Sequence, residues 1–99
     1  MRVIARSTLR AFWIKPRHRD SEQPLSAWHN EAEAAQWSTP ADVKRQFGTA
    51  SILRSGRVVF NIAGNKYRLV VAIRYDLKIV FIRFVGTHSQ YDDIDVEEV

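Results

Sequence analysis

The stretch KYRLVVAIRYDLKIVFIRFVGTHSQYD, residues 66–92, decides the fold. Apolar side chains alternate with others in its first part, which predicts a strand over about residues 66–75. The apolar face of this strand carries Tyr67, Leu69, Val71 and Ile73. Asp76-Leu77 is predicted to form a tight two-residue turn, and a second strand follows. Its alternation assigns Val80, Ile82 and Phe84 to one face, and Ile79, Phe81, Arg83 and Val85 to the other.

A third strand precedes these two. From Arg57 onward the period is also two, so that one face carries Val58, Phe60 and Ile62 and the other carries Arg57, Val59 and Asn61. Ala63-Gly64-Asn65 then turns the chain. Three strands joined by short turns form an antiparallel meander, and helices are needed to cover its aliphatic face.

The first half of the chain supplies that cover. Val3-Ile4 predicts a short strand, and Ser7 is predicted to cap a helix that ends before Pro16. A second helix is predicted to begin near Pro24. A third has Thr39 as its cap, Pro40 at its first position and Asp42 near its positive end, and it stops near Phe47-Gly48. The apolar stripes of this half predict core positions for Trp13, Trp28 and Trp37, rather than base-stacking platforms.

These elements predict an α+β fold. The sheet is mainly antiparallel, with the short N-terminal strand and the C-terminal three-strand meander, and two to three helices pack on one face. With 99 residues the chain is expected to form a single domain, 1–99, whose last residues, about 92–99, are an acidic tail. No run of about 18 apolar residues is present, which favours a cytoplasmic protein without a membrane partner. There are no cysteines, so disulfides and thiolate sites are excluded.

Charge is distributed unevenly along the chain. Residues 1–19 carry six bases and no acid, and residues 54–83 carry seven bases against Asp76 alone. The faces of the meander opposite the aliphatic core are expected to form an open, shallow basic groove lined by Arg57, Asn61, Arg68, Arg74 and Arg83. Basic surface on a small domain suggests a polyanion such as nucleic acid as partner. Arg57, Lys66 and Arg74 are predicted to steer RNA.

His88 and Tyr91 follow the last strand and are predicted to overhang this groove. Cleaving RNA without a metal needs a base for the 2′-hydroxyl, an acid for the departing 5′-oxygen and cations for the phosphate. Histidine is the side chain that ionises near neutrality, so His88 is the candidate acid or base. Arg68 and Arg83 suit the phosphate because a guanidinium matches two of its oxygens. Tyr91 is a candidate proton donor or stacking residue.

Simpler interpretations of these residues stay open. A histidine after a strand is commonly an exposed loop residue, arginines on a sheet face are commonly solvated, and Tyr91 fits a partly buried plug at the strand end. His88 with Asp92 and Asp93 also has the residue types of a metal site, but the spacing is not diagnostic and the acids continue into a tail. No metal and no cofactor are therefore predicted.

The chain resembles the HigB family of toxins of bacterial toxin-antitoxin systems, within the RelE-like superfamily of mRNA-cleaving toxins. The residues that carry the resemblance are 27–28 (AW), 37–44 (WSTPADVK), 57–69 (RVVFNIAGNKYRL) and 81–92 (FIRFVGTHSQYD). The resemblance implies a metal-independent endoribonuclease that cleaves messenger RNA, usually on the ribosome, and that is neutralised by a HigA antitoxin with a helix-turn-helix domain. It also implies active residues among basic and aromatic side chains, with a histidine or arginine just after the last strand.

The leading hypothesis is thus a toxin that cleaves mRNA with His88, Tyr91, Arg68 and Arg83. A second hypothesis is a module that occupies RNA or the ribosome through the same face without cutting. A third is a structural partner of an acidic protein.

Overall fold

A computed structural model describes residues 1–99. In chain order the elements are β1 (Arg2–Ile4), α1 (Arg6–Trp13), a 3₁₀ helix (Pro16–Ser21), α2 (Glu22–Ala34), α3 (Pro40–Gln46), β2 (Ser51–Ile52), β3 (Arg57–Ile62), β4 (Tyr67–Arg74), β5 (Ile79–Thr87) and α4 (His88–Asp92). None of the helices has the length and hydrophobicity needed to cross a bilayer.

The strands form one five-stranded sheet in the order β1-β5-β4-β3-β2. Neighbouring strands are antiparallel except for β1, which runs parallel to β5 and pairs Val3 with Val80. The α+β fold and the antiparallel meander are confirmed. β2 was not predicted; its two residues pair with the start of β3 and extend the sheet at that edge.

Three helices cover one face of the sheet, as predicted. One cluster of 20 buried residues joins the apolar stripes of α1, α2 and α3 to the aliphatic face of the strands, and it includes all three tryptophans. Trp28, for example, packs edge-on against Phe60 of β3, with 5.3 Å between the ring centroids. The interpretation of the tryptophans as core residues is confirmed.

The helix starts are partly as predicted. Thr39 and Asp42 form a reciprocal capping box at the start of α3, and α3 ends before Phe47. The prediction of Ser7 as a cap is wrong: α1 begins at Arg6, and Ala5 occupies the cap position without a side-chain hydrogen bond. α2 begins at Glu22, two residues before Pro24, because the 3₁₀ helix runs directly into it.

The predicted alternation of the last strand fails at a bulge. Val71 pairs with Ile82 but Val70 pairs with Phe84, so Arg83 is an extra residue in β5. An extra residue reverses the facing of all side chains after it. Phe84 therefore lies opposite the core, and Val85 packs against the core, the reverse of the predicted faces.

The predicted two-residue turn between β4 and β5 is also longer than expected. β4 ends at Arg74 and β5 begins at Ile79, so four residues form the connection. Lys78 has a φ of 57°, in the left-handed region that non-glycine residues seldom adopt. Asp76-Leu77 gave a turn signal, but it did not define the turn's length.

The face of the sheet opposite the core is called the outer face here, and it is partly covered. α4 lies against it, and residues 93–99, called the C-terminal strap, follow α4. In the strap Ile94, Val96 and Val99 are half-buried, whereas the acidic residues between them are exposed. The strap ends in a turn in which the main-chain N–H of Val99 donates to the carbonyl of Asp95 at 3.1 Å.

Candidate active site

The start of α4 is fixed by its own sequence. Thr87 and Gln90 form a capping box: the Gln90 N–H donates to Thr87 Oγ1 at 3.1 Å, and the Thr87 N–H donates to Gln90 Oε1 at 2.9 Å. Gly86 makes room for this arrangement, because a Cβ there would lie 2.5 Å from Phe84 Cζ and 2.7 Å from Gln90 Oε1. The chain therefore turns from β5 into α4 at once, and His88 becomes the first residue of the helix.

Arg68 lies at the same end of the outer face. Its guanidinium Nη1 donates to Asn61 Oδ1, the residue opposite it on β3. The guanidinium carbon also lies 5.5 Å from the centroid of the Tyr91 ring, within the range of a cation–π contact. Nε of Arg68 is buried without a partner. Arg68, Asn61 and Tyr91 thus form one cluster in which the guanidinium retains unused donor capacity.

His88 adds a titratable group to α4. Its Nδ1 lies 3.2 Å from Asp92 Oδ2, one helical turn later, and its side chain is 44% exposed. When Nδ1 carries a proton that it donates to Asp92, Nε2 is free to accept one. Because Tyr91 follows His88 by three residues, both side chains belong to neighbouring positions on the surface of α4.

Arg83 is set apart from that cluster. It is the extra residue of the bulge, and its guanidinium lies 5.5 Å from the ring of Phe81, on the same strand. The side chain is exposed and forms no ion pair. The bulge thus leaves Arg83 as an unpaired cation on β5, and none of its contacts joins it to the cluster formed by Arg68.

The centre of the outer face is not the open groove that the sequence predicted. Nη2 of Arg57 donates to the main-chain oxygen of Val99 at 2.8 Å, so the C-terminal strap reaches β3. Val59 and Val70 pair with each other between Arg57 and Arg68 and face outward by their register, yet they are only 2% and 0% exposed. The prediction of an open face is therefore wrong, because its central valines are covered and the Arg57 guanidinium is bonded to the strap.

Two of the predicted RNA contacts lie away from this cluster. Lys66 forms an ion pair with Asp20 of the 3₁₀ helix, and the buried Tyr67 hydroxyl donates to the same carboxylate. These two hydrogen bonds, the one from Lys66 first, hold the pKa of Asp20 below its ordinary value. Arg74 makes two hydrogen bonds to Asp76 at 3.1 and 2.8 Å and lies six residues along β4 from Arg68, roughly 20 Å away.

Sequence reasoning did not assign a role to Asp92 or Gln90. If a helix is assumed after Thr87, the sequence predicts a role for each residue. Thr87-x-x-Gln90 has the spacing of a capping box, and Asp92 follows His88 by four residues, one helical turn. Beyond the His88–Asp92 pair, no group of three or more His, Cys, Asp or Glu side chains is arranged to hold a metal ion.

A depression of about 350 Å³ adjoins α4 at the edge of β5. Phe84 and Val85 line it from the strand, and Gln90 and Ile94 line it from α4 and the strap. The opposite wall is formed by the end of α1 and the 3₁₀ helix, through Phe12, Lys15 and His18. The bulge is the reason that Phe84 is available to this depression. It offers an aromatic surface next to the His88 and Tyr91 helix.

A comparison with models of known families identifies the family of this chain. Residues 21–94 match the model of the HigB_toxin family, described as the RelE-like toxic component of a toxin-antitoxin system. The chain belongs to the HigB toxin family. The match includes α4 and all of β3 to β5, so every candidate site residue lies inside it. A search of curated proteins found no match. As a HigB toxin, the chain is the toxic member of a pair, and an antitoxin is its partner.

Proposed function

We propose that this HigB toxin is a metal-independent endoribonuclease that cleaves messenger RNA and so inhibits translation. One observation supports the proposal above the others: at one end of the sheet α4 carries both the Tyr91 ring that contacts the Arg68 guanidinium and the His88 imidazole paired with Asp92. Membership of the HigB family supports the role as a toxin. The side chains of Arg68, Tyr91 and His88 support the proposed cleavage reaction.

The proposed reaction uses the ribose next to the scissile phosphate as nucleophile. His88 Nε2 accepts the 2′-hydroxyl proton while Asp92 holds Nδ1, and the 2′-oxygen attacks phosphorus. The bond from phosphorus to the 5′-oxygen breaks, and the Tyr91 hydroxyl gives its proton to that oxygen. The products are a 2′,3′-cyclic phosphate and a 5′-hydroxyl.

The cations stabilise the charge that builds on the phosphate. Arg68 is proposed to contact the non-bridging oxygens through the terminal N–H groups that Asn61 does not occupy, and Arg83 to approach from β5. Asn61 orients Arg68 and, with Arg57, Lys66 and Arg74, is proposed to bind RNA. Arg57 reaches RNA only when the C-terminal strap moves, since its guanidinium is bonded to Val99.

The proposed setting is a translating ribosome in the cytoplasm. The 350 Å³ depression beside α4 is of a size to take a single nucleobase against Phe84, which gives the RNA an anchor next to the scissile phosphate. The proposed antitoxin is of the HigA type, with a helix-turn-helix domain.

Primer extension on cellular messages after brief induction tests the proposal. The wild-type chain is expected to produce new 5′ ends inside open reading frames. His88→Ala is expected to lower their formation by about 10²- to 10⁴-fold, the usual contribution of general acid–base catalysis. Ser89→Ala, an exposed neighbour on α4 without side-chain partners, is the matched control and should cleave like the wild type.

The alternative is a module that occupies RNA or the ribosome through the same face without cutting. It predicts growth arrest without new 5′ ends. In that case His88→Ala would arrest growth as strongly as the wild type, and affinity would instead follow the number of arginines and fall with salt.

A further inference from the structure

The solvent side of α1 carries a second feature that the proposed nuclease does not use. A depression of about 280 Å³ is lined by Arg10, Trp13, Ile14, Arg19 and Glu22, here called the α1 patch. α1 packs on the core face of the sheet, whereas Arg68 and Tyr91 contact each other on the outer face, and none of the five patch residues belongs to that cluster. Four of its five residues precede the matched range 21–94, so the family match assigns them nothing.

The apolar part of the patch is unusual for this surface. Ile14 is 54% exposed, one of only three large apolar side chains that are exposed in the molecule. It lies at the mouth of the depression beside Trp13, whose indole is only 5% exposed and has the Arg6 guanidinium 5.2 Å from its ring centroid. Exposed aliphatic surface next to a buried aromatic is typical of the centre of a protein interface.

The arginines of the patch form no ion pairs. Arg10 and Arg19 are exposed and form no ion pair, and the same is true of the four other bases in residues 1–19. The nearest acid of the sequence, Asp20, is bound to Lys66. Glu22 is the sole acid in the depression. A partner with carboxylates would therefore meet several unpaired guanidinium groups at once.

These two parts together favour an acidic protein over RNA. The phosphates of RNA would pair with the arginines, but they make no favourable contact with an exposed isoleucine. The face of Trp13 is too covered to stack on a base. A helix or strand with acidic residues beside one apolar side chain satisfies both parts. A toxin of this family has one obligatory protein partner, its antitoxin.

We propose that the α1 patch is the docking site for an acidic, amphipathic segment of the antitoxin. An apolar side chain of that segment contacts Ile14 in the depression that Trp13 also lines, and its carboxylates pair with Arg10 and Arg19. This inference rests on the toxin–antitoxin pairing and on the proposed antitoxin partner, and it is independent of RNA cleavage.

The test measures binding of the purified neighbouring-gene product that rescues growth on co-expression. Calorimetry on the wild-type chain is compared with Ile14→Glu and with the double variant Arg10→Gln/Arg19→Gln. Each is expected to bind at least tenfold more weakly, and the double variant should also lose part of the salt dependence. All changed residues are exposed, and thermal melts identify any variant that fails to fold.

Leu77→Glu is the matched control. Leu77 is also 54% exposed but lies in the turn between β4 and β5, so this variant should bind the antitoxin like the wild type. Patch variants that keep full affinity for the antitoxin would overturn the proposal. So would patch variants that lose affinity for RNA alone. Because the readout is binding, a wild-type chain that binds its antitoxin but cuts no RNA would reject the nuclease and leave this inference intact.

Discussion

At the scale of single residues, Arg68 connects the sheet to the proposed chemistry. It is bonded to Asn61 across the strands and lies over Tyr91, so one side chain joins β3, β4 and α4. His88 is placed by a different device, the capping box of Thr87 and Gln90. Two residues support this site without taking part in the reaction. Gly86 leaves room for the Gln90 side chain of the capping box, and Asp92 pairs with the His88 imidazole.

Asp92→Asn keeps the size of the side chain and removes its charge. Since the His88–Asp92 pair is about half exposed, we expect the cleavage rate to fall by no more than about tenfold, far less than for His88→Ala. Single-turnover cleavage of an RNA oligonucleotide measures this. Wild-type rates in Asp92→Asn would contradict a role for Asp92 in positioning His88.

Gly86→Ala introduces a Cβ that collides with Phe84 and Gln90. Both atoms end flexible side chains that can swing away, and we expect the free energy of unfolding to fall by about 0.5–1.5 kcal/mol because Gln90 then loses its hydrogen bond to the Thr87 N–H. Gly48→Ala is the control, since nothing lies within 4 Å of a Cβ there. Urea unfolding compares the two, and equal stabilities would contradict the proposed packing of α4.

At the scale of elements, the sequence predicted regular structure well and interruptions poorly. The alternation of β3 and β4 and the cap of α3 could be predicted because each depends only on residues that are close together in the sequence. The bulge at Arg83 was not, since β5 alternates without a break and only its pairing with β4 shows the extra residue. The strap was read as a solvated acidic tail, although Ile94 and Val96 among its acids were a signal for one packed side.

Deletion of residues 95–99 tests whether the strap covers the outer face. Val59 and Val70 would become exposed, so we expect a loss of about 1–3 kcal/mol in stability. Affinity for RNA at low salt should rise, because Arg57 is released and acids are removed. Glu97→Gln/Glu98→Gln changes the charge alone and should raise affinity without loss of stability. A deletion that leaves stability unchanged would show that the strap does not pack.

At the scale of the whole molecule, Asp20 ties the helical layer to the sheet. The 3₁₀ helix that carries it connects α1 to α2, and its carboxylate is bonded to Lys66 and Tyr67 at the start of β4. The α1 patch lies on this layer and the Arg68 cluster on the other face of the sheet, while Lys15 and His18, next to the patch in sequence, line the depression beside α4. The proposed antitoxin and RNA surfaces are thus separate sets of residues that adjoin at the end of α1. This separation could not be predicted from the sequence, since it depends on how α1 packs.

The lowered pKa of Asp20 predicts a pH dependence of stability. A carboxyl group whose pKa is lowered on folding stabilises the protein above its ordinary pKa of about 3.9 and loses that contribution as pH falls through the folded value. The difference in urea midpoint between the wild type and Asp20→Asn should thus be largest near pH 7 and shrink below about pH 4. Glu31→Gln, an exposed unpaired acid on α2, should show no such trend; a constant difference for Asp20→Asn would contradict the account.

The central claim is RNA cleavage through the 2′-hydroxyl, and one measurement tests it most directly. A messenger RNA cleaved by the wild-type chain is compared with the same RNA carrying a single deoxyribose at the cleavage position, with a chelator present throughout. The account predicts a 2′,3′-cyclic phosphate and a 5′-hydroxyl from the first RNA and no cut at that position in the second. Cleavage of the deoxyribose position, or a wild-type chain that leaves the first RNA intact on translating ribosomes, would contradict it.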